Sequence, residues 1–312
     1  MRGKKARWAL KTRSYFRNYS SKPDVEDLWL YAVAIARLTS ELVEINIKSR
    51  VHSPTLLFAA LLLKYAITPL SFRNLAKLLK EHKLNTGAKV EAYASKSTLH
   101  RAFQQVNPEA INVAIAMLYL LIHALWCYRL NGAVSHILLY ATDTFHVVLD
   151  GYITRFVKGA LKEVKGLVRA IALVWIPENC VVAVVSSVKA VSSWVKLLPC
   201  NSTLVGDGEF YCRELLLACS ANGVRVAIPE VESHRSIGLS VDLTKYWARK
   251  LCERVFGAIE RRGSSALGLR SVEAGRKAVL LVFVGHNLVR LWASGRLFDL
   301  FGVFGLGRLW VK

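Results

Sequence analysis

Acidic residues are scarce in this chain: 22 Asp and Glu stand against 43 Lys and Arg in 312 residues, a formal charge of +21. Such a surplus attracts polyanions, so nucleic acid is the first partner to consider and an anionic membrane surface the second. The six cysteines, Cys127, Cys180, Cys200, Cys212, Cys219 and Cys252, include no C-x-x-C pair and have no histidine at zinc-finger spacing. That excludes the usual structural zinc patterns and leaves them as small core residues. The basic start MRGKKARWALKTRSYFRNYSSK is not followed by an apolar run of signal-peptide length, so a cytoplasmic chain is expected. The most apolar stretch, Ile111 to Trp126, is interrupted by Asn112 and His123. It falls short of the roughly 20 residues of a membrane span and reads as a buried helix, with no membrane partner expected. There is no internal repeat, low-complexity tract, Ser-His-Asp spacing or glycine-rich phosphate loop.

What is present is apolar enough, at 53% hydrophobic residues, for one large domain or two smaller ones. Residues 1–22 interleave basic side chains with Trp8, Tyr15, Phe16 and Tyr19, a mixture suited either to phosphate contact and base stacking or to a plain solvated tail. From Asp24 the pattern is helical, and Ser53-Pro54 opens a second helix. Ser71 is placed to cap FRNLAKLLKEHK, and Ser95 to cap KSTLHRAFQQV. The pair, about residues 71–106, suggests a helix-turn-helix whose second member would offer Lys96, Ser97, His100, Arg101 and Gln104 to a major groove. Two ordinary bundle helices are the alternative, because the interval between them exceeds the usual short turn. Asn107-Pro108 then starts a long apolar helix that Asn131-Gly132 ends. Residues 1–130 thus read as a helical DNA-binding region and 131–312 as a separate domain.

That second part begins with ILLYATDTFHVVLD, an apolar strand carrying Asp143 in its middle. A buried carboxylate needs a cation or a proton, so Asp143 either meets a positive partner at the end of a sheet or caps a turn there. Lys165 to Trp175 and Cys180 to Val188 read as a hairpin around Ile176-Pro177-Glu178-Asn179. A fourth strand ends at Gly206-Asp207-Gly208-Glu209, a helix follows from Tyr211 to Ala221, and Val224 to Ile228 is a fifth strand. From Asp242 one long helix is expected, with Leu243, Trp247, Leu251, Val255 and Ile259 on its apolar face. Arg249, Glu253, Phe256, Gly257 and Glu260 project from a neighbouring face. Another helix, about Val272 to Trp292, closes the pattern. The fold class is α/β, a mixed five-stranded sheet with flanking helices. If three antiparallel strands precede parallel crossovers, the first and fourth can lie side by side, bringing Asp143 to Asp207 while the later helix delivers Glu253. Three hard oxygen donors suit Mg²⁺.

Asp143-Thr144, Lys165, the run Gly206 to Tyr211 and RKLCERVFGAIERR from Arg249 to Arg262 resemble the DDE transposases of bacterial and archaeal insertion sequences. The resemblance covers about residues 137 to 292 and implies a ribonuclease H-like catalytic domain. By it, Asp143, Asp207 and Glu253 are the catalytic and metal-binding triad, with two Mg²⁺ or Mn²⁺ ions. It further implies that Arg249, Arg254, Arg261 and Arg262, with Lys165, Lys96 and Arg101, contact double-stranded DNA. Glu260 is the runner-up third ligand, Asp150 a poorer rival for Asp143, and Glu209 is unassigned. The implied activity is metal-dependent cleavage at element ends and strand transfer to target DNA by a homodimer, in a prokaryotic cytoplasm at the nucleoid. A structure-selective nuclease of the same fold, or a transposase-derived DNA-binding protein that no longer cuts, are the alternatives.

Overall fold

The computed structural model describes residues 23–67, 70–87, 91–129, 139–157, 160–230, 243–261 and 271–294. Five helices come first: α1 (Val25–Leu42), α2 (Pro54–Ile67), α3 (Phe72–Glu81), α4 (Lys96–Gln105) and α5 (Pro108–Arg129). Their starts follow the local chemistry. Asp24 accepts from the Glu26 N–H, Ser71 from that of Asn74 and Ser95 from that of Thr98, each meeting a donor that the first turn leaves without a helical acceptor. The expected helices at 72 and 96 are there, joined by residues 82–95. The four-residue break with a near-perpendicular bend, 105°, lies one helix earlier, between α2 and α3. Helix α5 runs past the apolar stretch in the sequence, so that Pro108–Cys127 is long and apolar enough to cross a membrane. It is the only single helix of that kind among the described residues. In the fold it packs on α1, on the strand Cys180–Val185 and on the helix Val272–Ala293.

The sheet comprises β1 (Leu139–Val157), β2 (Ala160–Trp175), β3 (Cys180–Val185), β4 (Thr203–Val205) and β5 (Arg225–Ala227), in the order β3-β2-β1-β4-β5. The first three strands are antiparallel, while β4 and β5 are parallel to β1. This is the expected mixed sheet, and it is compatible with a ribonuclease H-like arrangement. Strands β1 and β2 both extend further than the sequence pattern indicates. The additional pairing, from Tyr152↔Lys165 to Val157↔Ala160, places Lys165 well inside β2 rather than at its start. Asp150 falls where the β1–β2 register shifts, between Val148 and Tyr152.

Helices α6 (Val188–Val195) and α7 (Arg213–Ala221) pack on each other, α6 also against β3 and α7 against β5. Asn222-Gly223 ends α7, and Gly223 takes φ +63°, a backbone state open to glycine. The single helix expected from Asp242 is instead a 3₁₀ segment, Leu243–Ala248, followed by α8 (Arg249–Arg261). Residue 242 itself lies outside the described residues. Leu243 and Trp247 are exposed, so the apolar stripe does not run on from the 3₁₀ segment. The buried stripe of α8 is Cys252, Val255, Phe256 and Ile259, with Ala248 of the 3₁₀ segment buried ahead of it.

Helix α9 (Val272–Ala293) is buried along almost its whole length and touches α1, α2, α5, α8, β1, β2 and β3. One continuous apolar core therefore joins the N-terminal helices to the sheet. Two contacts show how closely. A Cβ on Gly285 would stand 2.2 Å from the Tyr65 carbonyl oxygen, so only glycine lets α9 approach α2 this far. The Asn287 carboxamide accepts from Val181 N–H at 2.9 Å and donates to Val181 C=O at 2.6 Å, pairing backbone groups on the outer edge of β3.

Candidate active site

The register of β1 and β4 sets the site. Their last parallel pair is Ala141↔Val205, and two residues beyond it on each chain stand Asp143 and Asp207. Both aspartates thus stand just past the end of the β1–β4 pairing, on the same side of the pleat. Asp143 still belongs to β1, opposite Ala172 of β2. Asp207 has left its strand and caps the 3₁₀ turn Gly208–Phe210, accepting from Gly208 N–H at 2.7 Å.

Phe145 lies two residues past Asp143 and so shares its face of the sheet. Its ring meets Phe256 of α8 and Phe283 of α9, with centroids 5.3 and 5.5 Å away. That aromatic contact pins α8 across β1. Arg249 and Glu253, two turns and one turn before Phe256 respectively, are thereby carried to the carboxylates. Phe256 shares the face of α8 that bears Arg249 and Glu253, as the sequence suggests, and is buried among the core rings.

All three expected carboxylates meet at Arg249. Its Nη2 is 3.0 Å from Asp207 Oδ2 and 3.9 Å from Glu253 Oε1, and its Nε is 3.8 Å from Asp143 Oδ2. Arg249 Nη1 also donates to the Tyr246 hydroxyl at 3.4 Å. Asp143 is the buried member, its side chain 13% exposed against 42% for Asp207 and 54% for Glu253. Burial pushes its carboxyl above the usual carboxylate range, and the charges of Glu253 and Asp207 add to that. The Thr144 N–H, donating to Oδ1 at 2.8 Å, and Arg249 pull the other way. For Arg249, burial is outweighed by the Tyr246 hydroxyl and by the carboxylates, so its guanidinium is held above its ordinary value.

Among the described residues no group of three His, Cys, Asp or Glu side chains stands ready as a metal cage. Here the positive centre shared by the three acids is a guanidinium. The donor set nevertheless fits a hard divalent cation: all oxygen, three negative charges, two of the three groups open to solvent. Arg249, expected on DNA phosphate, stands among the acids and compensates their charge.

The other expected residues are spread widely. Glu260 is exposed on α8, seven residues from Glu253, and Arg254 is exposed beside Glu253. Lys165 is seven residues along β2 from Ala172, roughly 20 Å or more from Asp143. Lys96 and Arg101 are exposed on α4, together with Ser97, Gln104 and His100, whose ring also packs edge-on against Phe72. Residues 1–22 and Arg262 lie outside the described residues, as does the side chain of Arg261.

A second cluster was missed by sequence reasoning. Glu209 accepts from the Thr144 hydroxyl at 2.6 Å and from Arg169 Nη2 at 2.6 Å, and Arg169 also donates to the Thr144 hydroxyl at 3.2 Å. The available signal is Arg169 itself, a lone charge within the apolar run Leu167 to Trp175. No known family model matches this chain, and neither does any curated protein or solved structure.

Proposed function

We propose that the protein is a DNA strand-transfer enzyme of the DDE transposase kind, built on a ribonuclease H-like sheet. The observation that carries this reading is the convergence of Asp143, Asp207 and Glu253, from two adjacent strands and a packed helix, on one cationic centre. A lone strand-end aspartate capping a turn would not gather two more acids around it. Asp143, Asp207 and Glu253 would hold Mg²⁺ or Mn²⁺. Bound there, two such ions would supply the Lewis acidity that activates an attacking oxygen and stabilises the leaving one at a phosphodiester.

The chain's own contribution is placement and charge. The β1–β4 pairing keeps the two aspartates together, and the Phe145–Phe256 contact fixes the helix that bears Glu253. Before metal arrives, Arg249 offsets the mutual repulsion of the acids. Exposed basic residues, with Arg254 by the site and Lys96 and Arg101 on α4, supply charge to orient a duplex. Two element ends must be held together for transfer, so two copies of the chain would act in one complex.

The test is a strand-cleavage and joining assay on labelled DNA carrying the sequences that flank the gene, with Mg²⁺ or Mn²⁺. Wild type is compared with Glu253→Gln and Asp207→Ala. Cutting followed by joining, reduced to background in both variants, is the expected result. Cutting without joining would identify a nuclease, and salt-sensitive binding with no cutting a DNA-binding protein that has lost the chemistry. Cleavage retained by Asp207→Ala would refute the site.

A further inference from the structure

We propose that Arg169, Glu209 and Thr144 act together as a positioning brace that sets the separation of Asp143 and Asp207, an inference that rests on reading those aspartates as metal ligands. Strand β4 is only three residues long and its pairing with β1 stops at Val205. No ladder hydrogen bond therefore fixes Asp207. Its position depends on the 3₁₀ turn it caps, and that turn is tied down at two points. Phe210 is fully buried on one side. On the other, Glu209 receives the two 2.6 Å bonds, one from Thr144 of β1 and one from Arg169 of β2.

The triangle is closed by the bond from Arg169 to the Thr144 hydroxyl. Thr144 also reaches the site through its backbone, since its N–H donates to Asp143 Oδ1. A continuous path thus runs from Asp143 through Thr144 and Glu209 back to Asp207. Along β1, Thr144 faces the side of the sheet opposite Asp143, and Arg169, paired with His146, lies on that same side. The brace works from behind the site, where it leaves the acids free for ligand.

Charge geometry separates this role from plain stabilisation. The Arg169–Glu209 side chains are 44% and 40% exposed, and such a pair adds little to folding. What three mutually bonded groups on three segments do provide is a fixed distance. Groups that orient metal ligands in this way change metal affinity about 10- to 100-fold when removed.

The experiment measures Mn²⁺ binding to the full chain by electron paramagnetic resonance, with thermal denaturation alongside. Variants are Glu209→Gln, Arg169→Gln, Thr144→Val, the exchange Glu209→Arg with Arg169→Glu, and Glu253→Gln as the ligand control. The brace predicts that Glu209→Gln and Arg169→Gln each weaken Mn²⁺ binding about 10- to 100-fold, with Thr144→Val weakening it less. Melting temperatures should stay close to wild type, and the exchanged pair should recover most of the affinity. Loss in Glu209→Gln alone, with no recovery on exchange, would make Glu209 a direct ligand and overturn the brace. Unchanged affinity in both single variants, while Glu253→Gln loses it, would also overturn it. If Glu253→Gln leaves Mn²⁺ binding intact, the metal-site reading fails and the brace falls with it.

Discussion

Asp143 combines burial with two like charges, so its carboxyl prefers the proton more in the folded chain than in the unfolded one. A group whose folded pKa is raised contributes stability that is full below its unfolded pKa and is lost as pH rises through the folded value. Asp143→Asn should therefore stabilise the metal-free protein at pH 7 and flatten the acid-side slope. Thermal denaturation across about pH 4 to 8 measures both effects. A lower melting temperature for the variant at pH 7 would show that Arg249 already offsets the cost of burying the charge. Lys64 runs the opposite way. It is buried on α2 with its Nζ 3.9 Å from the Tyr65 ring centroid and 5.1 Å from that of Phe72, and burial lowers its pKa to about 8. Its folded pKa lies below the unfolded value, so stability should rise between about pH 8 and 10.5. Lys64→Met should remove that rise and add up to about 3 kcal/mol at neutral pH, as read from urea denaturation.

The elements divide into those whose limits are written locally and those that packing sets. Serine caps at 71 and 95, Pro108 at the start of α5 and Asn222-Gly223 after α7 all act within a turn of themselves, so these limits are legible. The break at Ala248 is not: the sequence holds a continuous apolar repeat from Leu243 to Ile259, but the first turns form a 3₁₀ segment packed on β4 and β5. Lys245, donating to the Thr203 hydroxyl at 3.2 Å, helps hold it there. Helix α9 is the element on which the others depend most. Asn287→Leu would leave both backbone groups of Val181 without their partner and should cost about 2 to 4 kcal/mol in chemical denaturation. Gly285→Ala should cost about 1 to 3 kcal/mol, because the added methyl meets backbone rather than a movable side chain. A Gly285→Ala protein as stable as wild type would mean that α2 and α9 can separate freely.

At the scale of the whole chain, charge and the shared core act together. The +21 surplus predicts DNA binding that weakens steeply with salt, about a thousandfold between 50 and 200 mM if six or more phosphates are contacted. Arg101→Ala should lower that slope by about one without touching the fold, since Arg101 is exposed on α4. Fluorescence anisotropy at several salt concentrations measures both, and a slope near zero would exclude phosphate contact as the main source of affinity. Lys277 gives the two ends of the chain a physical connection. It lies buried on α9 and donates to the carbonyl of Gln104 at 2.6 Å, at the last turn of α4. A shift of α4 on binding DNA would therefore be felt by the helix that packs on β1, and hydrogen exchange along α9 with and without a duplex would register it.

What the sequence alone determined follows from short-range rules: the α/β class, the apolar strands and their order, most helix limits, and one carboxylate, Asp143, in a place where a buried charge needs a partner. Periodicity and capping act over a few residues and leave a visible pattern. The tertiary structure decided the rest. That Asp143 and Asp207 stand at matching positions depends on the Ala141↔Val205 pairing, and that Glu253 joins them depends on Phe256 docking against Phe145. Arg249 among the acids, and Arg169 with Glu209 behind them, are contacts between segments distant in the chain. Nothing in the local pattern marks such pairs, because they form only once the sheet and helices have brought those segments together.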